Sequence, residues 1–433
     1  MLSKSVKSSS RLRVFPTCLW ILLLSILIGF LLLLAVYGIP ARLMQEECRE
    51  SVRIFQEEDR YPNDPYSGRR LDNYTDSIFL LGAAYPGEES ILDRTIHVYT
   101  QRTVDVPSPV RSFISIYSKE SEEVQPTEYA WYWHGYLLTL KPLLTMLNYQ
   151  QIRHLNLAVQ YVLLLVLLFL IQRRLPSVLL PFLLTVLFLA PTAIGRVLGY
   201  SSVYYILLLF LLLLLWNPKG RITEENVWLL FLFAGIATGY FDNLSAPTQT
   251  LTFPLCFLLV QRAGHGSWKQ NARLFLRCCF VWGFGYAGMW GAKWVLVLLF
   301  EGREFLISLG NQMWLYTGPS IGGHIVTQAD ALRRNFGILF KDPDLIILSL
   351  ILAAVLLVLV LRDRSRINRR SLADALLVLF ITLIPLMWTL FLKNHSCRHY
   401  WFAYRTLTPL ILCPLCALTV LRGAPPIADA QDP

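Results

Sequence analysis

Two long apolar runs enclose Lys393-Asn-His-Ser-Cys-Arg-His-Tyr-Trp-Phe-Ala-Tyr-Arg405, which gathers two histidines and three cations. A charge held at bilayer depth costs about 3 kcal/mol on insertion scales, so such a cluster marks a site of function. His395 and His399 stand four apart and Arg398 and Arg405 seven apart, so on a continuous helix each pair shares a face. Guanidinium groups in that arrangement suit a phosphate, which they grip through paired N–H donors. Lys393 adds a further positive charge. The two imidazoles could also ligate a metal, but no His-Glu-x-x-His pattern supplies a third ligand.

Three further constellations carry groups of the right chemistry. Asp72 and Asp76 lie four residues apart in Leu71-Asp-Asn-Tyr-Thr-Asp-Ser77, which puts both carboxylates on one side whether the segment is helical or extended. Such a pair can deprotonate an acceptor hydroxyl or hold a divalent cation against a diphosphate; a plain Asx turn is the competing reading. Asp242 and Asn243 fall in Gly239-Tyr-Phe-Asp-Asn-Leu-Ser-Ala-Pro247, at a turn between apolar runs, where capping the next helix is the alternative to binding. His134 and Lys141 accompany an aromatic block, Tyr129 to Tyr136, which suits a membrane interface and also a ligand.

The elements that must position these groups are transmembrane. The chain has 433 residues, 55% hydrophobic and only 16% charged, with mean hydropathy +0.48, well outside the range of soluble domains. Its formal charge of +10 is scattered between apolar runs rather than gathered on one soluble face, so we expect no nucleic-acid partner. The cysteines lie mostly inside apolar runs; Cys413-Pro-Leu-Cys416 has redox spacing but the context of a packing helix. We expect an all-α polytopic membrane protein with about ten transmembrane helices and a mixed extracytoplasmic first loop.

Residues 1–13 carry Lys4, Lys7, Arg11 and Arg13 ahead of an uncharged run over 14–39, which reads as an uncleaved first span with a cytoplasmic N-terminus. Residues 40–130 form a large polar loop, in which about Gln45 to Asp59 is helical and Thr95–Thr100 and Ser112–Tyr117 alternate as short strands. Asn73-Tyr-Thr75 matches a glycosylation sequon. Residues 131–147 read as interfacial or re-entrant helices, and 150–421 as a multi-span domain. Its spans fall at about Leu155–Ile171, Leu179–Ile194, Val203–Trp216, Val227–Tyr240, Leu251–Val260, Cys278–Phe300, Leu345–Leu361, Ala375–Leu392 and Thr406–Leu421.

With these crossings, Arg173 and Arg174, Lys219 and Arg221, the Arg262 to Arg277 basic residues, the Arg362 to Arg370 group and Arg422 in the 422–433 tail all fall on the cytoplasmic side. The candidate residues then share the opposite, extracytoplasmic face, together with Arg196, Arg333 and Arg334. Both termini are expected in the cytoplasm of a multi-pass cell-membrane protein.

This plan, one span followed by a large acidic outer loop, interfacial helices and many short-looped spans, resembles the GT-C superfamily of integral-membrane glycosyltransferases. Tyr132-Trp-His-Gly135, Thr238-Gly-Tyr-Phe-Asp-Asn243 and His395-Ser-x-x-His-Tyr-x-Phe-x-Tyr-Arg405 also look like blocks in polytopic membrane proteins of bacteria. The resemblance implies transfer of a sugar from a polyprenyl-phosphate donor to an extracytoplasmic glycan, lipid or protein acceptor, within membrane lipids and with a divalent cation as an option. A first-loop acid would be base or metal ligand, which matches Asp72 or Asp76; Glu46, Glu47 and Asp59 lie nearer span one and are the alternatives. Arg398, Arg405 and Lys393 would hold donor phosphate, His134 and His399 would bond the sugar or move protons, and His395 would be a further substrate-binding residue. The other readings are a transporter or flippase for a lipid-linked or anionic solute, and a non-catalytic envelope-assembly subunit.

Overall fold

A computed structural model describes residues 14–62, 69–104, 108–120, 123–217 and 220–422. The basic N-terminal segment, Lys219 and the tail beyond Arg422 lie outside the described residues. Each apolar stretch becomes helical because, in a dry surround, a helix satisfies its own backbone donors and acceptors.

The chain opens with α1 (Val14–Tyr37), exposed along most of its length. In the first loop α2 (Gln45–Glu58) turns Cys48, Ser51, Val52 and Phe55 inward, the spacing of one helical face. It is followed by α3 (Asn73–Ala83), α4 (Ile91–His97), β1 (Tyr99–Thr103), α5 (Pro109–Tyr117) and β2 (Val124–Glu128). Strands β1 and β2 pair antiparallel, Tyr99 opposite Glu128 and Thr103 opposite Val124. Of the two strands expected here one is kept in part and one changes character: Thr95 to His97 ends α4 while Tyr99 and Thr100 enter β1, and Ser112 to Tyr117 belongs to α5. In α5, Pro109 starts the first turn and Val110, Phe113 and Tyr117 are buried, so the helical period outweighs the local alternation.

The short α6 (Leu137–Leu143) leads into α7 (Tyr149–Arg174), then α8 (Leu179–Leu189), α9 (Pro191–Gly195), α10 (Leu198–Trp216), α11 (Val227–Phe241), α12 (Gln249–Arg262) and α13 (Trp268–Glu301). After α14 (Arg303–Thr317), a two-residue-per-strand hairpin of β3 (Ser320–Ile321) and β4 (His324–Ile325), and α15 (Gln328–Leu339) come α16 (Pro343–Arg362), α17 (Arg369–Phe380), α18 (Leu383–Phe391), α19 (Lys393–Arg398), α20 (Tyr400–Ala403) and α21 (Pro409–Arg422).

Among the described residues seven helical stretches are long and apolar enough to cross a membrane. They are α1, α7, α10, α13, α16, the α17–α18 stretch over Arg369–Phe391 and the Tyr400–Arg422 stretch that ends in α21. Three of the ten expected spans fall short of the ~20 residues a crossing needs. The stretch from Leu179 to Ile194 divides at Ala190, whose φ of 54° is left-handed and which precedes Pro191. Helices α11 and α12 have 15 and 14 residues. Nearly every residue of α12 is buried, so it forms the centre of the bundle, against α10, α11, α13, α17 and α21. The pair α11 and α13 packs at backbone distance: a Cβ on Gly235 would collide with the Trp282 carbonyl oxygen, and one on Gly285 would stand 2.7 Å from that of Leu232. Cys256, Cys413 and Cys416 are free and buried where α12 meets α21.

At one end of the bundle α14, α15 and α19 pack together, and the segment after α19 meets the start of α10 and the α3 N-terminus. That end holds Asp72, Asn243, His395, Arg398 and His399.

Candidate functional site

A cavity of about 140 Å³ opens where these elements converge. Asp72 enters it from the α3 N-terminus, Asn243 from the turn after α11, and His395, Arg398 and His399 from α19 and its end. Its walls are aromatic, from Tyr129, Tyr132, Tyr200, Tyr316 and Phe402.

Asp72 is the N-cap of α3, where an acid is favoured because the first turn leaves backbone donors unpaired. Its carboxylate accepts from the Thr75 N–H at 3.0 Å and from the Thr75 hydroxyl at 3.0 Å, and the residue is 1% exposed. Burial pushes its pKa above the usual carboxylate range, against the Thr75 bonds that pull it down. Sequence offered capping and chemistry as alternatives; this carboxylate caps a helix and also faces the cavity.

Asp76 does not face the cavity. Tyr149 donates its hydroxyl to Asp76 at 2.6 Å, and the amides of Leu198 and Gly199, which open α10, donate at 2.9 and 3.1 Å. The carboxylate therefore ties α3 to α7 and to the positive end of α10. Burial pushes its pKa up to about 7 against those donors. The expected pair is divided because an N-cap lies outside the helix proper, so Asp72 turns toward its own first turn while Asp76 points to α10. Among the described residues no group of three or more His, Cys, Asp or Glu side chains is arranged to hold a metal ion. Glu46 and Glu47 lie in the first turn of α2; neither they nor Asp59 line the cavity.

The opening cluster is not one helix. α19 stops at Arg398, His399 has φ −113° and ψ 30°, and α20 is a single turn. His395 and His399 stay adjacent, ring centroids 4.9 Å apart, because the His399 amide still donates to the His395 carbonyl oxygen at 2.9 Å. Burial pushes His395 down to about 4, and Arg398 adds to that; His399 is lowered well below the usual histidine range by burial, then by His395 and Arg398. Both are neutral hydrogen-bonding groups near neutral pH.

Arg398 is exposed at the cavity and has no ion pair among the described residues. Arg405, expected beside it, is buried elsewhere: its Nε donates to the Leu189 carbonyl oxygen at 2.9 Å at the end of α8, and its guanidinium stacks over Tyr200 and Tyr404. The break after Arg398 turns the two arginines in different directions. Lys393, at the start of α19, does not line the cavity.

Three other expected ligand contacts serve the fold. His134, with φ 57°, gives its Nε2 proton to the Tyr129 carbonyl oxygen at 2.7 Å, so Nδ1 accepts from the Tyr136 hydroxyl at 3.0 Å. Burial pushes it down to about 3, with Lys293 adding to the effect. It positions Tyr129, whose ring lines the cavity. Lys141 donates to the Ala83 carbonyl oxygen at 2.6 Å and so caps α3 at its C-terminus, with its pKa lowered by burial to about 8. Asp242 accepts the Ser245 amide at 3.0 Å and the Ser245 hydroxyl at 2.5 Å, closing the turn that presents Asn243; burial raises it to about 6. The sequon asparagine, Asn73, is fully buried and bonds Glu58 and the Asp59 carbonyl oxygen, so the folded chain does not present it.

Sequence reasoning missed Gln312 and Tyr316, four apart on α14. The Tyr316 hydroxyl bonds both the Tyr132 hydroxyl and the Gln312 amide, which fixes Tyr132 at the cavity wall. Two polar residues on one face of a mostly apolar helix were the available signal.

Against family models, curated proteins and solved structures, the chain has no match.

Proposed function

We propose that the chain is a membrane transferase that moves a sugar from a polyprenyl-phosphate donor to a hydroxyl acceptor at the extracytoplasmic face. One observation carries the reading: a buried carboxylate, two neutral imidazoles and an arginine without an ion pair share one aromatic-walled cavity at the end of a helical bundle.

Asp72 takes the proton as the acceptor oxygen bonds the anomeric carbon, and the bond from that carbon to the phosphate oxygen breaks. A base with a raised pKa gains more from this transfer than an ordinary carboxylate. The departing phosphate keeps the electron pair, and Arg398 stabilises its charge, an effect worth about 3 kcal/mol for a donor aimed at developing charge. His395 and His399 bond sugar hydroxyls without adding charge.

Beside the cavity lies a mostly apolar groove of about 250 Å³ between α6, α7 and α10, with Leu155 and Val159 exposed at its edge. Tyr136 of the groove stacks on Phe79 of the cavity, centroids 3.9 Å apart, so a polar head and an apolar tail have neighbouring places. A solute path would instead need ionisable groups free along the interior. Lys293, buried in α13, gives its ammonium to the Ile96 carbonyl oxygen at 2.6 Å, which suits a structural role.

Membranes carrying the protein, supplied with labelled polyprenyl-phosphate hexoses one at a time, test the reading. Transfer that disappears in Asp72→Asn supports it. Unchanged transfer in that variant, or none from any such donor, counts against it.

A further inference from the structure

Within this cavity Asn243 stands apart. Both its amide oxygen and its amide nitrogen are shielded from solvent and meet no hydrogen-bond partner among the described residues. The same holds for Nδ1 of His399, across the cavity. Buried polar atoms are almost always paired, because leaving one unpaired forfeits its bonds to water. These three atoms, joined at the cavity wall by the shielded Tyr200 hydroxyl of α10, therefore describe the ligand: it must offer both donors and acceptors at close spacing. Asn243 is held to this task by its neighbour, since Asp242 closes the turn on Ser245 and leaves the amide facing inward.

The size of the space sets the second limit. A cavity of about 140 Å³ matches the ~150 Å³ that takes a single six-membered ring. Its aromatic walls suit the C–H face of a ring that carries hydroxyls on its edge. From these observations we infer that the cavity takes one neutral hexopyranose ring, and that Asn243 decides which ring by bonding two neighbouring hydroxyls, donating to one and accepting from the other. His399 accepts a third hydroxyl proton at Nδ1 or, in the other tautomer, donates there. The inference rests on the transferase reading for the identity of the site and adds the substrate class and its selecting residue.

The test uses the full chain in lipid nanodiscs and a panel of methyl hexopyranosides that differ at single hydroxyls, with cyclohexanol as a ring lacking them. Saturation-transfer NMR reads binding and thermal unfolding reads the fold. At least one hexoside binds with a millimolar Kd, and Asn243→Ala weakens it about thirtyfold, the loss of two net hydrogen bonds. Because Asn243 has no partner to lose, the Ala variant unfolds at the same temperature as the parent or higher; Asn243→Ser, which keeps one hydroxyl, falls between the two in affinity.

Equal binding by the parent and Asn243→Ala overturns the inference, as does cyclohexanol binding as well as the hexosides. If no hexoside binds while a lipid-linked sugar is still transferred, the hexose cavity is wrong and the transferase reading stands. If hexosides bind through Asn243 and no donor is turned over, the inference stands and the transferase reading falls.

Discussion

Replacing Asp72 by Asn separates chemistry from folding at one atom. Asp72 holds α3 through the Thr75 amide and hydroxyl, both at 3.0 Å. Asn caps helices as well as Asp does, and its amide oxygen can accept the same N–H, while the Thr75 hydroxyl turns to accept from the new NH2. The cap therefore changes by less than about 0.5 kcal/mol. Removing a carboxylate whose pKa burial already raises also relieves a desolvated charge, so stability stays level or rises slightly. In the proposed reaction this removes the base entirely. Positioned proton transfer contributes about 10²–10⁴ in rate, or roughly 3–5 kcal/mol of barrier. Purified protein in nanodiscs with labelled polyprenyl-phosphate hexose measures the rate, and thermal unfolding in the same discs measures the fold. Asp72→Ala, lacking any cap, loses about 1 kcal/mol of stability as well and serves as the comparison. A folded Asp72→Asn protein that transfers sugar within about threefold of the parent would refute Asp72 as the base.

Other substitutions divide along the same line. Asp76→Ala removes the 2.6 Å acceptor of the Tyr149 hydroxyl, which keeps only a longer 3.3 Å bond to Asn73, and the acceptor of two partly buried amides, a loss of about 1–3 kcal/mol, so its defect shows as a lower unfolding temperature and lower protein level. Arg398→Gln leaves stability within about 0.5 kcal/mol, since the side chain is exposed and has no ion pair among the described residues, but lowers kcat/KM for the lipid donor at least about tenfold. The pH profile follows from Asp72. A base must be ionised, and a raised pKa keeps the proton on to higher pH, so the rate falls on acidification through a point above the usual carboxylate range of about 4. His395, pushed to about 4, and His399, held well below the ordinary histidine range, are neutral near neutral pH, so an acid limb that Asp72→Asn leaves unmoved would assign the base elsewhere.

Much of the architecture was legible from residue order. Uncharged runs of spanning length become helices because backbone polar groups have no other partner in hydrocarbon, and the polar first loop, the α2 helix and the interrupted α6 follow from composition and periodicity. Where local signals conflicted, tertiary packing decided: α5 is a helix because its buried face has helical spacing, and the Leu179–Ile194 run splits because Ala190 precedes proline.

The residue types of the site were also visible in the sequence: acids near the first loop, paired histidines, arginines at helix ends. Their roles were not, because spacing along the chain says nothing of what arrives from far away in sequence. Asp72 and Asp76 are equivalent by spacing, yet the amides of Leu198 and Gly199 occupy Asp76 and leave Asp72 at the cavity. Arg398 and Arg405 are likewise equivalent until the helix breaks at His399 and the Leu189 carbonyl oxygen takes Arg405. The order of apolar runs and polar residues determined that this chain is a helical, membrane-spanning scaffold with polar residues at the ends of its helices. Only the fold decided which of those residues are consumed in holding it together and which still face open space, since a buried polar group is committed by the first partner that reaches it.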